Sequence, residues 1–341
     1  MKAIQFIGTQ RSGSNLLRVM LHQHPQICSP HPPHILQVMM PFLPMYGDLS
    51  APAAFRKLAD DVCTLVELNP VNWNMHFDRE VVISRCKGHN LPQLMKAIYE
   101  LKAEQKQSDI WCCKSMASVH YAAEIENAGI HPFYIFIFRD GRDVALSFMK
   151  TIVGEKHIYH LAKQWKEEQE LSYALCQRFP ERSVMIRYEE FILDPETQLR
   201  RICTMLGMDY SPAMLDYAQS DESKETASSG AMWGNLVKPV MKENKQKFLR
   251  ELSPGQIAIF ESVAGSTLVK LGYTLRFPEQ EARVFSAETL AEFSAKNARL
   301  KKEAKTKAAP SDIDHRKLQD GHIARLAERM QQFRLSAQAH E

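Results

Sequence analysis

The stretch IQFIGTQRSGSNLLRVML, residues 4–21, holds a short apolar run, a loop with two glycines and a helix-like segment. Residues 3–8 read as a short buried strand. Residues 14–24 read as a helix, with Leu16, Leu17, Met20 and Leu21 at helical spacing and Pro25 as a stop just beyond. Gly8 and Gly13 have the GxxxxG spacing of a phosphate loop, in which backbone N–H groups and the positive end of a helix point at one anion. A nucleoside-triphosphate loop would continue with Lys and Ser/Thr, for the β/γ-phosphates and Mg²⁺. Ser14 and Asn15 stand there instead, and a cation, Arg11, sits inside the turn. The pattern suits a phosphate handled without a metal.

Strands alternate with helices along the rest of the chain. DIWCCKS (109–115) reads as a strand ending at a lysine, and Phe133 to Phe138 is the strongest strand, followed by a helix from about Asp143. Residues 182–191 are a further strand candidate, and residues 195–206 a helix that Asp194 is placed to cap. This order implies an α/β fold with a central, mostly parallel sheet flanked by helices. Two segments read as loops: the Pro/Met-rich run 29–49, and the small, polar run 223–239, which is expected to be flexible.

The 341 residues are 45% apolar, enough for a core, and the formal net charge of +3 is too small to argue for nucleic-acid binding by bulk electrostatics. Seven cysteines without CxxC or Cys/His ligand spacing point to a reduced compartment and no structural zinc. No segment reaches the roughly 18 to 20 apolar residues needed to span a bilayer. Residues 3–8 form a core strand, so no leader could be cleaved without losing it; a soluble cytoplasmic protein is expected. Beyond Pro278 the composition turns Ala/Lys/Arg/Glu-rich. The boundary falls there: residues 1–277 as the main domain, and 278–341 as a charged helical tail of one or two exposed helices. A solvated appendage is the simplest reading of that tail, with a homo-oligomer contact as the alternative.

The second chemical element is FIFRDGRDVALSF (136–148). Arg139 ends a strand and Ser147 follows eight residues on in the helix, a guanidinium and a hydroxyl suited to a second phosphate. A structural ion pair of Arg139 with Asp140 or Asp143 is the competing reading. Together, the two elements in this order resemble the sulfotransferase family, which uses 3′-phosphoadenosine 5′-phosphosulfate (PAPS). The resemblance covers about residues 3–277 and implies the P-loop-like fold of that family. It implies that Arg11, Ser12, Gly13, Ser14 and Asn15 hold the 5′-phosphosulfate, and that Arg139 and Ser147 hold the 3′-phosphate. WCCKS places Lys114 at the family's strand-end catalytic lysine. RYEEFILDP (187–195) matches its Tyr-Glu…Asp-Pro segment, with Tyr188 at the adenine. LVKPVMKENKQKF (236–248) is similar to a segment of tyrosylprotein sulfotransferases and their bacterial relatives in which a lysine, here Lys238, lies near the nucleotide.

Sulfuryl transfer resembles phosphoryl transfer in asking mostly for positioning and charge stabilisation. It also needs a base. The family's histidine two residues after the lysine is replaced by Met116, so the resemblance directs attention to the loop after the first helix. There His31, then His34, are the candidates, as loop histidines that could equally be surface groups. The Met- and aromatic-rich run 35–46, with a contribution from residues 150–160, would make an apolar acceptor wall, which implies an acceptor with an apolar body and a hydroxyl or amine. Two other readings stay open. A P-loop NTPase or small-molecule kinase would need a lysine at position 14. A non-catalytic nucleotide-binding scaffold acting through the tail would not need Lys114.

Overall fold

The computed structural model describes residues 1–278, 284–307 and 313–338. Five strands, β1 (Lys2–Ile7), β2 (Ile27–Cys28), β3 (Ile110–Cys113), β4 (Phe133–Phe138) and β5 (Ser183–Arg187), form one sheet in the order β2-β3-β1-β4-β5. Every pairing is parallel, with Ile4 beside Cys112 on one side and Phe133 on the other. β4 is buried along its whole length, and β1 along all but its first residue. Such unbroken apolar runs belong to strands covered on both faces.

The helices in chain order are α1 (Ser14–His22), α2 (Ile35–Met39), α3 (Pro52–Glu67), α4 (Arg79–Ser84), α5 (Leu91–Gln105) and α6 (Ala122–Asn127). Next come α7 (Gly141–Met149), α8 (Ile158–Arg178), α9 (Tyr188–Leu193), α10 (Pro195–Leu206) and α11 (Asp221–Ser228). The last are α12 (Phe248–Glu251), α13 (Pro254–Lys270), α14 (Ala287–Thr306) and α15 (Lys317–Gln338). On one face of the sheet, Ile4, Phe6 and Ile135 pack with Leu17 and Met20 of α1 and Ile202 of α10. On the other, Ile7, Tyr134 and Phe136 pack with Trp165 of α8 and Phe260 of α13. A third cluster joins α3 and α5 to Trp111 and Cys28 beyond the sheet's β2 side. A fully buried large apolar side chain of this kind contributes about 1.5–3 kcal/mol over leaving it exposed.

Three expectations change. Residues 29–49 contain α2 and a 3-10 turn at Met40–Tyr46, because Ile35, Leu36 and Met39 find apolar partners in the third cluster. Residues 223–239 contain the end of α11 and a 3-10 turn at Ala231–Val237. α11 is capped by Ser220, whose hydroxyl accepts from Ser223 N (3.2 Å), and buried Trp233 and Leu236 anchor the turn after it. The charged tail is helical as expected, yet it lies against the body. On α14, Asn297 Oδ1 accepts from the backbone N–H groups of Lys156 (2.8 Å) and His157 (2.9 Å), and the Phe293 ring lies 4.5 Å from that of His157. On α15, Leu326 is fully buried, Arg329 pairs with Asp61 of α3 at 2.8 Å, and His322 Nε2 lies 3.0 Å from Asp61 O. Widely spaced anchors of this kind leave no continuous apolar stripe to read in the sequence.

Candidate active site

In this strand order the chain runs from central β1 to the edge at β2, returns through β3 beside β1, and then crosses to β4 and β5 on the other side. Ligands of open parallel sheets bind at the carboxyl ends of strands near such a reversal. Each strand here delivers a candidate residue from its carboxyl end. The Gly8–Gly13 loop follows β1 and the His31 loop follows β2; Lys114 follows β3, Arg139 follows β4 and Tyr188 follows β5. All of them border one cleft of about 930 Å³, apart from loop residues Gly8, Thr9 and Ser12, which lie beneath it.

The loop's shape depends on its glycines. Gly8 has φ 114°, and a Cβ there would sit 2.6 Å from Ile137 O; Gly13 has φ 84°, and a Cβ would sit 2.3 Å from the Tyr188 ring. Arg11 itself takes a left-handed φ of 72°, a conformation that costs a non-glycine residue about 1–3 kcal/mol. It turns the side chain across the loop, where Nε donates to Ser147 Oγ at 3.1 Å. Burial, then the neighbouring Arg139, lowers Arg11 to about 10, so it stays charged at neutral pH. Behind the loop, Gln169 Nε2 of α8 donates to Thr9 Oγ1 at 2.8 Å.

Arg139 lies flat against Tyr188, its guanidinium carbon 4.6 Å from the ring centroid. One amino group donates to Asn244 O at 3.0 Å and approaches Asp143 at 3.5 Å; the other donates to Arg11 O at 3.4 Å. Asp140 instead pairs with Arg142, at 2.7 Å. The ion pair with Asp143 therefore exists, but it leaves Arg139 Nε buried without a partner among the described residues, as is Ser12 Oγ. Buried polar groups seldom stay unpaired without cause. A guanidinium with an unpaired nitrogen at the cleft, next to the Arg11 backbone and the Arg11–Ser147 pair, fits a multiply charged phosphate ligand.

Lys114 is buried, and among the described residues its ammonium has no hydrogen-bond or ion-pair partner in the protein. Gln5 Nε2 holds the backbone on both sides of it, donating to Cys113 O (3.1 Å) and Ser115 O (3.0 Å). Burial, then Arg18, then Arg11 lower its pKa to about 7. This is a lone cation kept short of an anion.

The two histidines lie near Lys114, close enough to feel its charge. The His31 ring is buried edge-on to Trp233, with centroids 4.7 Å apart, and its Nδ1 has no partner among the described residues. Its backbone carbonyl accepts from Trp73 Nε1 at 2.7 Å, which fixes the loop. His34 sits at φ 58°, and its Nδ1 shares a hydrogen bond of 2.9 Å with the hydroxyl of Ser115, the residue after Lys114. Burial first holds both imidazoles low, aided by Arg18 and Lys114 for His31 and by Lys114 and Arg316 for His34, which falls to about 3. Both are neutral at pH 7.

Of the residues singled out in the sequence, Arg11, Gly13, Ser14, Asn15, His31, His34, Lys114, Arg139, Ser147 and Tyr188 border the cleft. Ser12 is buried in the loop beneath it, and Lys238 is exposed and outside the lining. From the same segment as Lys238, Asn244 and Lys247 do line the cleft, and Asn244 Nδ2 donates to the Tyr188 hydroxyl at 2.7 Å. Val38 and Phe42 from the first suspected wall, and Ile152 and Val153 from the second, border it too. Sequence reasoning missed Trp233, Asn244 and the contribution of α15. Only the tryptophan carried a visible signal, as a large apolar residue within a polar run.

Sequence reasoning also missed Arg18. Its side chain has no exposure, and it pairs with Glu222 and donates to Thr226 Oγ1 and Ser29 O, both at 2.8 Å. One guanidinium thus joins α1, the loop leading to His31 and α11.

Known proteins share this architecture. A sulfotransferase domain from the curacin biosynthetic pathway superposes with a TM-score of 0.55 at 21% identity, covering 80% of this chain and 98% of that one. The sulfotransferase domain of the Synechococcus PCC 7002 olefin synthase gives 0.51 at 20% identity, covering 80% and 95%. In sequence, protein-tyrosine sulfotransferase A of Caenorhabditis elegans is 22% identical over 275 residues, which are 78% of this chain and 66% of that protein, just under two thirds of its length. The family model for sulfotransferases matches residues 4–212, more than half of the chain, and the protein belongs to the sulfotransferase family.

Proposed function

We propose that the protein moves the sulfuryl group of PAPS to a hydroxyl, or an amine, of an acceptor with an apolar body. The observation that carries this reading is the convergence of Arg11, Arg139 and unpaired Lys114 on one cleft at the strand ends. In it, the N–H groups of residues 12–16, Arg11 and Lys114 take the 5′-phosphate and the sulfuryl oxygens. Arg139 and Ser147 take the 3′-phosphate, and Tyr188 lies against the adenine. The acceptor oxygen attacks sulfur as the bond from sulfur to the phosphate oxygen breaks, and charge grows on the leaving phosphate. Preorganised cations in a dry site stabilise that charge without reorganising.

The acceptor's proton goes to His31 or His34. Both are neutral, as a base must be, but burial and cationic neighbours weaken them. A polyanionic donor beside Lys114 offsets those cations and raises both imidazoles toward useful basicity. Replacing each histidine with Ala tests the assignment: a general base contributes about 10²- to 10⁴-fold, and near-wild-type turnover in both variants excludes this loop as its source.

The donor is tested by thermal shift with 3′-phosphoadenosine 5′-phosphate (PAP), ATP–Mg²⁺ and AMP. Stabilisation by PAP alone is expected; at a hundredfold excess over Kd it amounts to about 2.7 kcal/mol. Equal stabilisation by ATP–Mg²⁺ would overturn the donor assignment.

A further inference from the structure

The C-terminal helix α15 lies beyond residues 4–212, the part that matches the family, and yet it borders the cleft. Its residues serve two purposes, packing on the body and bordering the cleft, and Gln319 takes part in both. His322, Leu326 and Met330 are buried, with Leu326 seated in the α3–α5 cluster, and Gln319 Nε2 donates to Leu65 O at 2.9 Å. Gln319, Asp320 and Ile323, with Arg316 in the turn just ahead of the helix, line the cleft. The anchoring through Asp61 holds this border in place rather than leaving it to swing.

The border has a chemical gradient. Half-buried Ile323, like Val38 and Phe42, packs against the α3–α5 cluster and lines the cleft. One turn nearer the helix start, exposed Asp320 and half-buried Gln319 stand at the rim, across from exposed Gln37. Apolar depth under a polar rim selects an acceptor with the same two parts.

We propose that the first two turns of α15 set the acceptor preference. The acceptor is an amphiphile: its hydroxyl reaches Lys114 and the histidines, its apolar body lies along Val38, Phe42 and Ile323, and its polar far end meets Asp320 at the rim. This rests on the PAPS-dependent reading above, and the test separates the two.

Full-length protein is titrated with PAP by calorimetry and assayed with PAPS against decanol and ω-hydroxydecanoate. Wild-type protein binds PAP and sulfates both alcohols. Ile323→Trp fills the wall and raises KM for both at least tenfold, while its Kd for PAP stays within twofold of wild type. Asp320→Lys, an exposed change that spares the core, lowers KM for the carboxylate-ended alcohol severalfold and leaves that for decanol unchanged. If wild-type protein fails to bind PAP, the donor reading falls and takes this proposal with it. If it binds PAP but sulfates neither alcohol, the amphiphile is wrong and the donor reading stands. If both alcohols react and neither variant alters their relative or absolute KM, α15 does not select the acceptor.

Discussion

The two ends of the cleft, which we assign to donor and acceptor, are built in opposite ways. The donor end comes from residues within a few positions of β1, β4 and β5: Arg11, Arg139, Ser147 and Tyr188. The acceptor end is assembled from three distant segments, around His31 to Phe42, around Trp233 and along α15. The first is rich in fixed charge; the second is mostly apolar and held by packing. Binding a constant ligand asks for local, rigid geometry, whereas a variable ligand can be served by segments that change without disturbing the sheet.

If that division holds, variants at the two ends should fail differently. Lys114→Ala should have the largest effect, lowering kcat by about 10²- to 10³-fold, the loss that follows removal of one charge-stabilising donor. Steady-state rates with saturating donor check it, and a fall confined to KM would break the assignment. Arg139→Ala comes next: losing charge-assisted bonds of about 1.5–3 kcal/mol should weaken PAP by roughly 10- to 100-fold. Acceptor KM should not change; if it rises as much, the two ends are not separable.

The pH dependence of PAP binding is smaller. Lys114, lowered to about 7 by burial, Arg18 and Arg11, must gain a proton to meet an anion. Affinity should therefore fall as pH rises above 7, by up to about tenfold per unit, and the slope should vanish in Lys114→Ala. Stability of the ligand-free protein runs the other way. A lysine depressed in the folded state binds its proton more readily when unfolded, so this group's penalty fades as pH rises from about 7 toward its ordinary value of 10.5. Calorimetric titration and melting across that range measure both signs. Trp233→Ala should have the mildest effect on the donor, leaving PAP affinity within about twofold while acceptor KM rises, since the ring packs edge-on against His31.

This contrast also explains what the sequence disclosed. A glycine loop between an apolar run and a helical pattern, or a strand ending in Arg, is a local arrangement, and local arrangements leave local signals. Hence the main strands, and the residues at their ends that border the cleft, could be read directly. β2 spans only Ile27–Cys28, too short to show alternation. Lys238 was placed by likeness of its segment, and a shift of a few residues separates it from Asn244 and Lys247, which do reach the cleft. The polar run after Ser220 looked like a loop because its helix is secured by a buried arginine more than two hundred residues earlier, a partner that no window of sequence contains. The tail misled for the same reason, its docking resting on scattered contacts, Arg329 and His322 to Asp61, Gln319 to Leu65 and Asn297 to Lys156 and His157.

Arg18 has one more consequence, for traffic. The segment 221–237 looks placed to swing open, since it carries Trp233 over the histidine and lies next to the cleft. But opening it would strip Glu222 and Thr226 from a guanidinium with no exposure of its own. Removing one partner from a buried pair costs about 3–5 kcal/mol, so an open form would occur in roughly one molecule in 10² to 10⁴. The segment behaves as a wall rather than a door, and traffic through the cleft has to use a part of its border that this segment does not form.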